Sequence, residues 1–233
     1  EDQVVVVPHG VDPETFNLIS ESEKKNIRDK YKINSEDFVL TNIGAMTQNK
    51  GVEDLIAAYG VLKKKNKNLK LVLKDQSNLY DRNAYNPIKN MHGSNFNQKY
   101  KIFNDQMYKD MIIISENLNF KEIKNIYSIT DCYVSPYKAE GFNLTPLEAA
   151  ACGTQIVVTD GGPTDDYFDD CMGFKIESKE EKLNDNIYLK PKTNSLIEIL
   201  DSIINKTDNK KNQRCKLVHE NFSWENTVKK LKK

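Results

Sequence analysis

Two glutamates frame one short stretch, Glu140-Gly141-Phe142-Asn143-Leu144-Thr145-Pro146-Leu147-Glu148. An apolar run, Cys132-Tyr133-Val134-Ser135, precedes it, and a helix-forming run from Leu147 to Cys152 follows. A carboxylate just after a strand, as Glu140 is, can accept hydrogen bonds from sugar hydroxyls or stabilise a developing positive charge. Thr145-Pro146-Leu147-Glu148 has the form of a helix start, with Thr145 as N-cap, Pro146 at the first helical position and Glu148 at the third. Glu148 is therefore open to two readings: it bonds the Thr145 backbone as part of a capping box, or it serves a ligand. The same helix start offers free N–H groups and a partial positive charge that suit a phosphate. Asn143, Leu144 and Thr145 would donate through their backbones. Gly141 carries no Cβ, so a ligand can approach its backbone closely.

Lys50 stands beside Gly51 in the loop Ala45-Met46-Thr47-Gln48-Asn49-Lys50-Gly51. It can neutralise a phosphate as a point charge, or be a surface lysine in a turn. The pattern of a P-loop is absent. Paired carboxylates also occur in glycoside hydrolases, but the spacing of Glu140 and Glu148 fixes no distance between their carboxyl groups. Asp165 and Asp166, after Gly161-Gly162-Pro163, are open as metal ligands or as polar turn residues.

The elements that must position these residues follow from hydrophobic patterning. Buried strands are expected at Phe38–Ile43, Leu69–Leu73, Met111–Ile114, Asp131–Ser135, Gln155–Thr159 and Gly173–Ile176, with a short edge piece at Ile187–Leu189 and a β-type run at Val4–Val7. Helices are expected at Val52–Lys65, at Asn119–Ile129 behind a capping box, after Thr145, and at Thr193–Ile204, Asn209–Glu220 and Trp224–Leu231. Ser20–Lys32 reads as a helix or a connector. Asn95–Met107 reads as one helix, with Phe96, Tyr100, Phe103 and Met107 on one face, and Tyr80–Gly93 as a loop. Strands alternating with helices imply an α/β fold with a Rossmann-like, mostly parallel six-stranded sheet flanked by helices. Ligands bind such sheets beyond the carboxyl ends of the strands. Gly44 to Gly51, Lys74, Asn117-Leu118 and Glu140 to Glu148 all fall there.

Composition narrows the partners. The 233 residues suffice for one large domain or two small ones. Lys+Arg and Asp+Glu both number 34, so net charge is zero and a nucleic-acid binder is disfavoured. The runs Lys63-Lys64-Lys65 and Lys229-Lys230 read as solvated helix faces. Cys132, Cys152, Cys171 and Cys215 form no Cys-x-x-Cys pair, and His9, His92 and His219 do not cluster with them, so no metal site is expected. No apolar stretch approaches the ~20 residues of a transmembrane helix, and no signal-peptide pattern opens the sequence; a cytoplasmic location is the expectation. The sequence starts without Met inside a β-like run, as a piece of a longer protein would.

Taken together, Pro8-His9-Gly10-Val11-Asp12, Gly44 to Gly51, Glu140 to Gly153 and Thr159-Asp160-Gly161-Gly162 resemble the carboxyl-terminal half of a GT-B retaining glycosyltransferase of family 4, or glycosyltransferase group 1. The strongest element is the pair of glutamates separated by seven residues within the Gly-Phe and Thr-Pro-Leu-Glu context. The resemblance implies transfer of a sugar from a nucleotide-sugar donor, such as a UDP- or GDP-sugar, with retention of configuration and with no cofactor or metal. Glu140 and Lys50 would be catalytic. Gly44, Asn49, Lys50, Lys74, Asn117, Leu118, Glu140, Gly141, Phe142, Asn143, Leu144, Thr145 and Glu148 would bind the donor. Among these, Glu148 would meet the ribose hydroxyls, Lys50 the diphosphate, and the backbone near Asn117 and Leu118 the base. An acceptor glycan, lipid or protein would sit on an amino-terminal domain.

The implied layout is an interdomain linker and entering strand over residues 1–15, a nucleotide-sugar-binding domain over 16–205, and C-terminal helices over 206–233. The last of these, opening at Ser223-Trp224-Glu225, would pack toward the amino-terminal domain. The isolated domain is expected to bind donor and turn over poorly. Two departures stand out. Ala45 occupies a position where many relatives carry Arg, none of Arg28, Arg82 and Arg214 is at a site position, and Lys74 is a candidate substitute for the missing charge. Asn143 replaces a Gly often found there, which would add an amide beside the sugar. A non-catalytic nucleotide-sugar-binding or interaction module with the same fold is the alternative, with Ala45 as its best support.

Overall fold

A computed structural model describes residues 7–80, 82–183, 186–204 and 206–232. The β-type run at Val4–Val7 lies outside them except for Val7. In chain order the elements are α1 (Glu21–Lys30), β1 (Phe38–Ile43), α2 (Val52–Lys63), β2 (Leu69–Lys74), α3 (Ser77–Tyr80), α4 (Tyr85–His92), α5 (Asn95–Tyr100), α6 (Asp105–Lys109), β3 (Met111–Ile114) and α7 (Phe120–Ile129). Then come β4 (Cys132–Ser135), α8 (Leu144–Ala151), β5 (Gln155–Thr159), β6 (Gly173–Ile176), β7 (Ser178–Leu183), β8 (Asn186–Pro191), α9 (Thr193–Ile203), α10 (Lys211–Asn221) and α11 (Trp224–Leu231).

The first six strands form one sheet in the order β3-β2-β1-β4-β5-β6, with every pairing parallel. Their near-continuous apolar runs are what a sheet covered on both faces requires. One core lies beneath α2, α4 and α9, around Leu55, Tyr59, Leu71 and Leu200. The other lies beneath α7, α8 and α10, around Tyr127, Tyr133, Leu147 and Val218. The strand order reverses between β1 and β4, so the loops leaving these two strands straddle the switch point where such sheets open a ligand crevice.

One open local reading is resolved and three expectations are revised. Ser20–Lys32 is a helix, α1, opened by a reciprocal Ser20–Glu23 capping box. Tyr80–Gly93 is not a loop throughout, because α4 buries Pro87, Ile88 and Met91 within it. Asn95–Met107 is not one helix. It splits into α5 and α6 at Lys101, which adopts the left-handed region at φ 46°. Asparagines make that break: the Asn97 side chain takes the Ile102 amide and the Asn104 side chain caps α6 through Met107. The edge piece at Ile187–Leu189 belongs to an antiparallel hairpin, β7–β8, outside the main sheet.

Two arginines are spent on the fold. Arg28 donates to the carbonyls of Ile129, Asn34 and Asp37 and pairs with Asp131 at 2.6 Å. Arg214 is fully buried, donates to the carbonyls of Cys171 and Gly153, and pairs with Asp208 at 3.0 Å. The four cysteines are free and buried. Among the described residues no helix is long and apolar enough to cross a membrane, and no group of His, Cys, Asp and Glu could hold a metal ion.

Candidate active site

The loop after β1 turns back through Gly51, whose φ of +63° is costly for residues with a side chain. A Cβ at Gly51 would stand 1.8 Å from the Pro136 carbonyl oxygen. That close approach lays the β1 loop against the exit of β4. Asn49 then fastens the two loops. Its carbonyl accepts from the Lys138 amide at 2.6 Å, and its side-chain amide donates to the Ala139 carbonyl at 3.0 Å. The β7–β8 hairpin braces the same segment from outside, with the Leu189 amide on the Lys138 carbonyl at 2.7 Å. The result is a direct ion pair between Lys50 and Glu140 across the switch point. Both side chains remain partly exposed.

Gly141 follows, and nothing lies within 4 Å of the position a Cβ would take. Phe142 rests between His9 and Tyr167, with ring centroids 5.2 Å from each. Asn143 is buried and left-handed, at φ 62° and ψ 65°. Asparagine tolerates that conformation better than most residues, which accounts for it where a glycine is common. Its side-chain amide is committed to the fold, donating to Ser135 Oγ at 3.0 Å, while its carbonyl accepts from the Tyr167 hydroxyl at 2.7 Å.

The helix start differs from the sequence expectation. α8 opens at Leu144, its N-cap is Asn143, and no side chain caps it. Thr145 is inside the helix and Glu148 does not reach back to it, so the capping-box reading fails. Among the described residues the amides of Leu144 and Thr145 find no acceptor. The start of α8, four residues after Glu140, therefore presents free donors and the positive end of its dipole.

Glu148 is half-buried, and its Oε2 accepts from the Tyr127 hydroxyl at 2.8 Å. Burial pushes its carboxyl up from 4.5 to about 7, against the lowering effect of the tyrosine bond. No ion pair involves Glu148 among the described residues. Beside it, the Tyr133 hydroxyl lies 2.8 Å from Thr145 Oγ1 and 3.0 Å from the Ile43 carbonyl, and accepts from the Ile43 amide at 3.2 Å. Tyr133 thereby ties the end of β1, next to Gly44, to the first turn of α8.

The remaining expected residues lie along the same sheet edge. Gly44 is buried at the end of β1, where its amide donates to the Lys74 carbonyl at 3.0 Å, and the nearest atom to a Cβ there is Lys50 Cε. Lys74 is buried, its ammonium donates to the Asp75 carbonyl, and burial lowers its pKa. Asn117 is exposed and Leu118 half-buried in the loop after β3, and the Asn78 side chain donates to Asn117 Oδ1 at 3.0 Å. Asp75, fully buried, gathers this corner by accepting from the amides of Ser77 and Ala84 and the hydroxyl of Ser115. Arg82 shares a small cleft with Met46, Thr47 and Gln48 of the β1 loop. Asp165 and Asp166 belong to a 3-10 turn, where Asp165 accepts from the Gly161 amide and pairs with Lys175.

The model of the family described as glycosyl transferases group 1 matches residues 23–214. The chain belongs to that family. It is 25% identical over 238 residues to an uncharacterized glycosyltransferase of Methanocaldococcus jannaschii, covering 98% of this chain and 53% of the relative. It is also 25% identical over 154 residues to mannosylfructose-phosphate synthase of Agrobacterium fabrum, covering 66% of this chain and 32% of that protein. The chain thus spans about half or less of these relatives. Among solved structures, sucrose-phosphate synthase from Thermosynechococcus elongatus superposes with a TM-score of 0.73 at 19% identity, over 99% of this chain and 51% of that one. Anabaena HepE, in complex with UDP and glucose, gives 0.71 at 16% identity, over 99% and 55%. The C-terminal domain of a Francisella tularensis group 1 glycosyl transferase gives 0.67 at 23% identity and is covered completely. The family member described here has the Rossmann-like half of the GT-B fold.

Sequence patterning missed the tyrosines that frame this site. Tyr127 lies in a helix and Tyr133 in a strand, where an aromatic residue reads as core. Only the polar tips of these side chains carry the information, and tips are visible in space alone.

Proposed function

We propose that this chain is the donor-binding half of a retaining glycosyltransferase. The observation that carries the reading is the Lys50–Glu140 contact across the switch point, with the free amides of Leu144 and Thr145 at the helix start that follows Glu140. Lys50 and those amides supply the positive charge that a departing diphosphate needs. Glu140 accepts hydroxyls of the transferred sugar and stabilises charge developing at the anomeric carbon. Its pairing with Lys50 keeps both groups at the reacting end until a donor's phosphates take the lysine. Glu148 accepts the ribose hydroxyls, and the Asn117-Leu118 backbone meets the base. Lys50 and the helix start do the electrostatic work here, and no metal or cofactor is assigned. The nucleotide sugars compatible with this site include the UDP-sugars, consistent with the UDP bound by HepE. An acceptor glycan, lipid or protein would be held by a second domain, in keeping with the share of the relatives that this chain spans.

Calorimetric titration with a panel of nucleoside diphosphates and their sugars, in the presence of a chelator, tests the reading. Binding in the micromolar to millimolar range is expected, weakened about ten-fold by Lys50→Ala. Absence of binding by every member at millimolar concentration would refute the donor site.

A further inference from the structure

The Glu148 carboxylate has an unusual setting. It is half-buried, no cation pairs with it, and its one described side-chain partner is a phenol. That phenol is itself immobile. Tyr127 is fully buried on α7, its ring meets Tyr133 edge-on at 5.6 Å and Phe16 at 6.0 Å, and its carbonyl takes the Thr154 hydroxyl at 2.7 Å. Its hydroxyl proton is kept across the accessible pH range, because burial raises the phenol far above its ordinary value. Tyr127 is thus a permanent donor in a fixed place, and it occupies Oε2.

We propose that Tyr127 is a positioning residue for nucleotide binding: it clamps Oε2 of Glu148 so that Oε1 faces the vicinal hydroxyls of a ribose. This rests on the donor-site reading above and adds a residue that the motif does not contain. An unclamped glutamate would spread over several rotamers and lose entropy on binding. A carboxylate fixed by one donor on one oxygen presents the lone pairs of the other in a single direction. The ionisable groups facing Glu148 are Tyr127 from α7, Tyr133 from β4 and Cys152 at the C-cap of α8. All three are kept neutral by burial, so the carboxylate's charge is left for the ligand's hydroxyl donors.

The test compares Tyr127→Phe with Tyr133→Phe, which removes a neighbouring hydroxyl that does not touch Glu148. Binding of uridine diphosphate, guanosine diphosphate and inorganic pyrophosphate is measured by calorimetry from pH 6 to 8.5. Tyr127→Phe should weaken the better-bound nucleoside diphosphate about ten-fold, the scale of one hydrogen bond to a charged group, and leave pyrophosphate unchanged. It should also move the midpoint of the nucleotide's pH dependence upward, since the bond that lowers the Glu148 pKa is gone. Adding Glu148→Gln to Tyr127→Phe should then cost little more. Tyr133→Phe should not shift that midpoint. If Tyr127→Phe does not melt cooperatively, Tyr127→Met replaces it. Equal weakening of pyrophosphate and nucleotide, or unchanged nucleotide binding with an unmoved pH midpoint, would overturn the clamp while leaving the donor site standing. If the unaltered chain binds neither nucleoside diphosphate, the donor site falls and takes the clamp with it.

Discussion

The replacement Glu148→Gln should make the protein more stable and a poorer binder at once, and the size of the first effect follows from the environment. In the fold the carboxyl is raised from 4.5 to about 7, chiefly by burial. Because the folded value exceeds the unfolded one, the fold gains from this group at low pH and loses that gain as pH rises toward 7. A shift of that size corresponds to about 3 kcal/mol at ~1.4 kcal/mol per unit. Partial exposure and the burial of a glutamine amide reduce it, and about 1–2 kcal/mol should remain. For a chain of this size each kcal/mol moves the melting temperature by roughly 2–4 °C. Glu148→Gln should therefore melt about 2–8 °C higher than the unaltered chain at pH 8.5, by those same factors, with most of the difference gone at pH 5. The glutamine carbonyl can still accept from Tyr127, so that hydrogen bond is retained. Thermal melts at the two pH values, with nucleotide titration at pH 8.5, measure both effects. A variant less stable than the parent at both pH values would show that the carboxylate holds the fold together, and the reasoning from burial would be wrong.

Asn143→Gly should cost about 1 kcal/mol, because it gives up the Ser135 bond but accepts the left-handed backbone freely. Asn143→Ala, which can neither adopt it cheaply nor reach Ser135, should lose about 2 kcal/mol by chemical denaturation. Lys50→Ala should change stability by under about 1 kcal/mol, as expected for a partly exposed pair, yet weaken a nucleoside diphosphate about ten-fold. Gly51→Ala places a Cβ against the Pro136 carbonyl. It should displace the β1 loop, and a crystal structure should show Lys50 separated from Glu140. In the unaltered chain, nucleotide affinity should rise between pH 6 and 8 as Glu148 ionises, and calorimetry across that range would show the midpoint near 7.

The parallel sheet was legible because its strands are short apolar runs closed by turn residues, and burial on both faces leaves little else for such runs to do. Convergence of the Lys50 and Glu140 loops was legible for a related reason: a parallel sheet sends every strand's carboxyl end to one edge. Two things were hidden. The cap of α8 depends on the backbone angles of Asn143, and Thr-Pro-Leu-Glu spacing misplaced the helix start by assigning Thr145 a side-chain bond that Tyr133 satisfies instead. The single helix expected at Asn95–Met107 failed because asparagines interrupt its periodicity and take over backbone amides at Ile102 and Met107. Lys74 shows the same limit. Its position at a strand end was readable, but the commitment of its ammonium to the Asp75 carbonyl was not.

The entry of the chain is stapled to its close. Val11 pairs in parallel with Ser223, the Val11 amide and carbonyl bond Phe222 and Trp224, and the Thr227 hydroxyl bonds the Pro8 carbonyl. Gly10 admits this, since a Cβ there would stand 2.6 Å from the Trp224 nitrogen. Contacts between residues so far apart in sequence carry the largest loop-closure cost and reward folding last. They should also open first and together. Hydrogen exchange at the amides of Val11 and Trp224 should then proceed at matched rates, faster than in the sheet, so the two ends report on a single latch. A force applied across Val11 and Ser223 would be felt at this latch before it reached the Lys50–Glu140 pair.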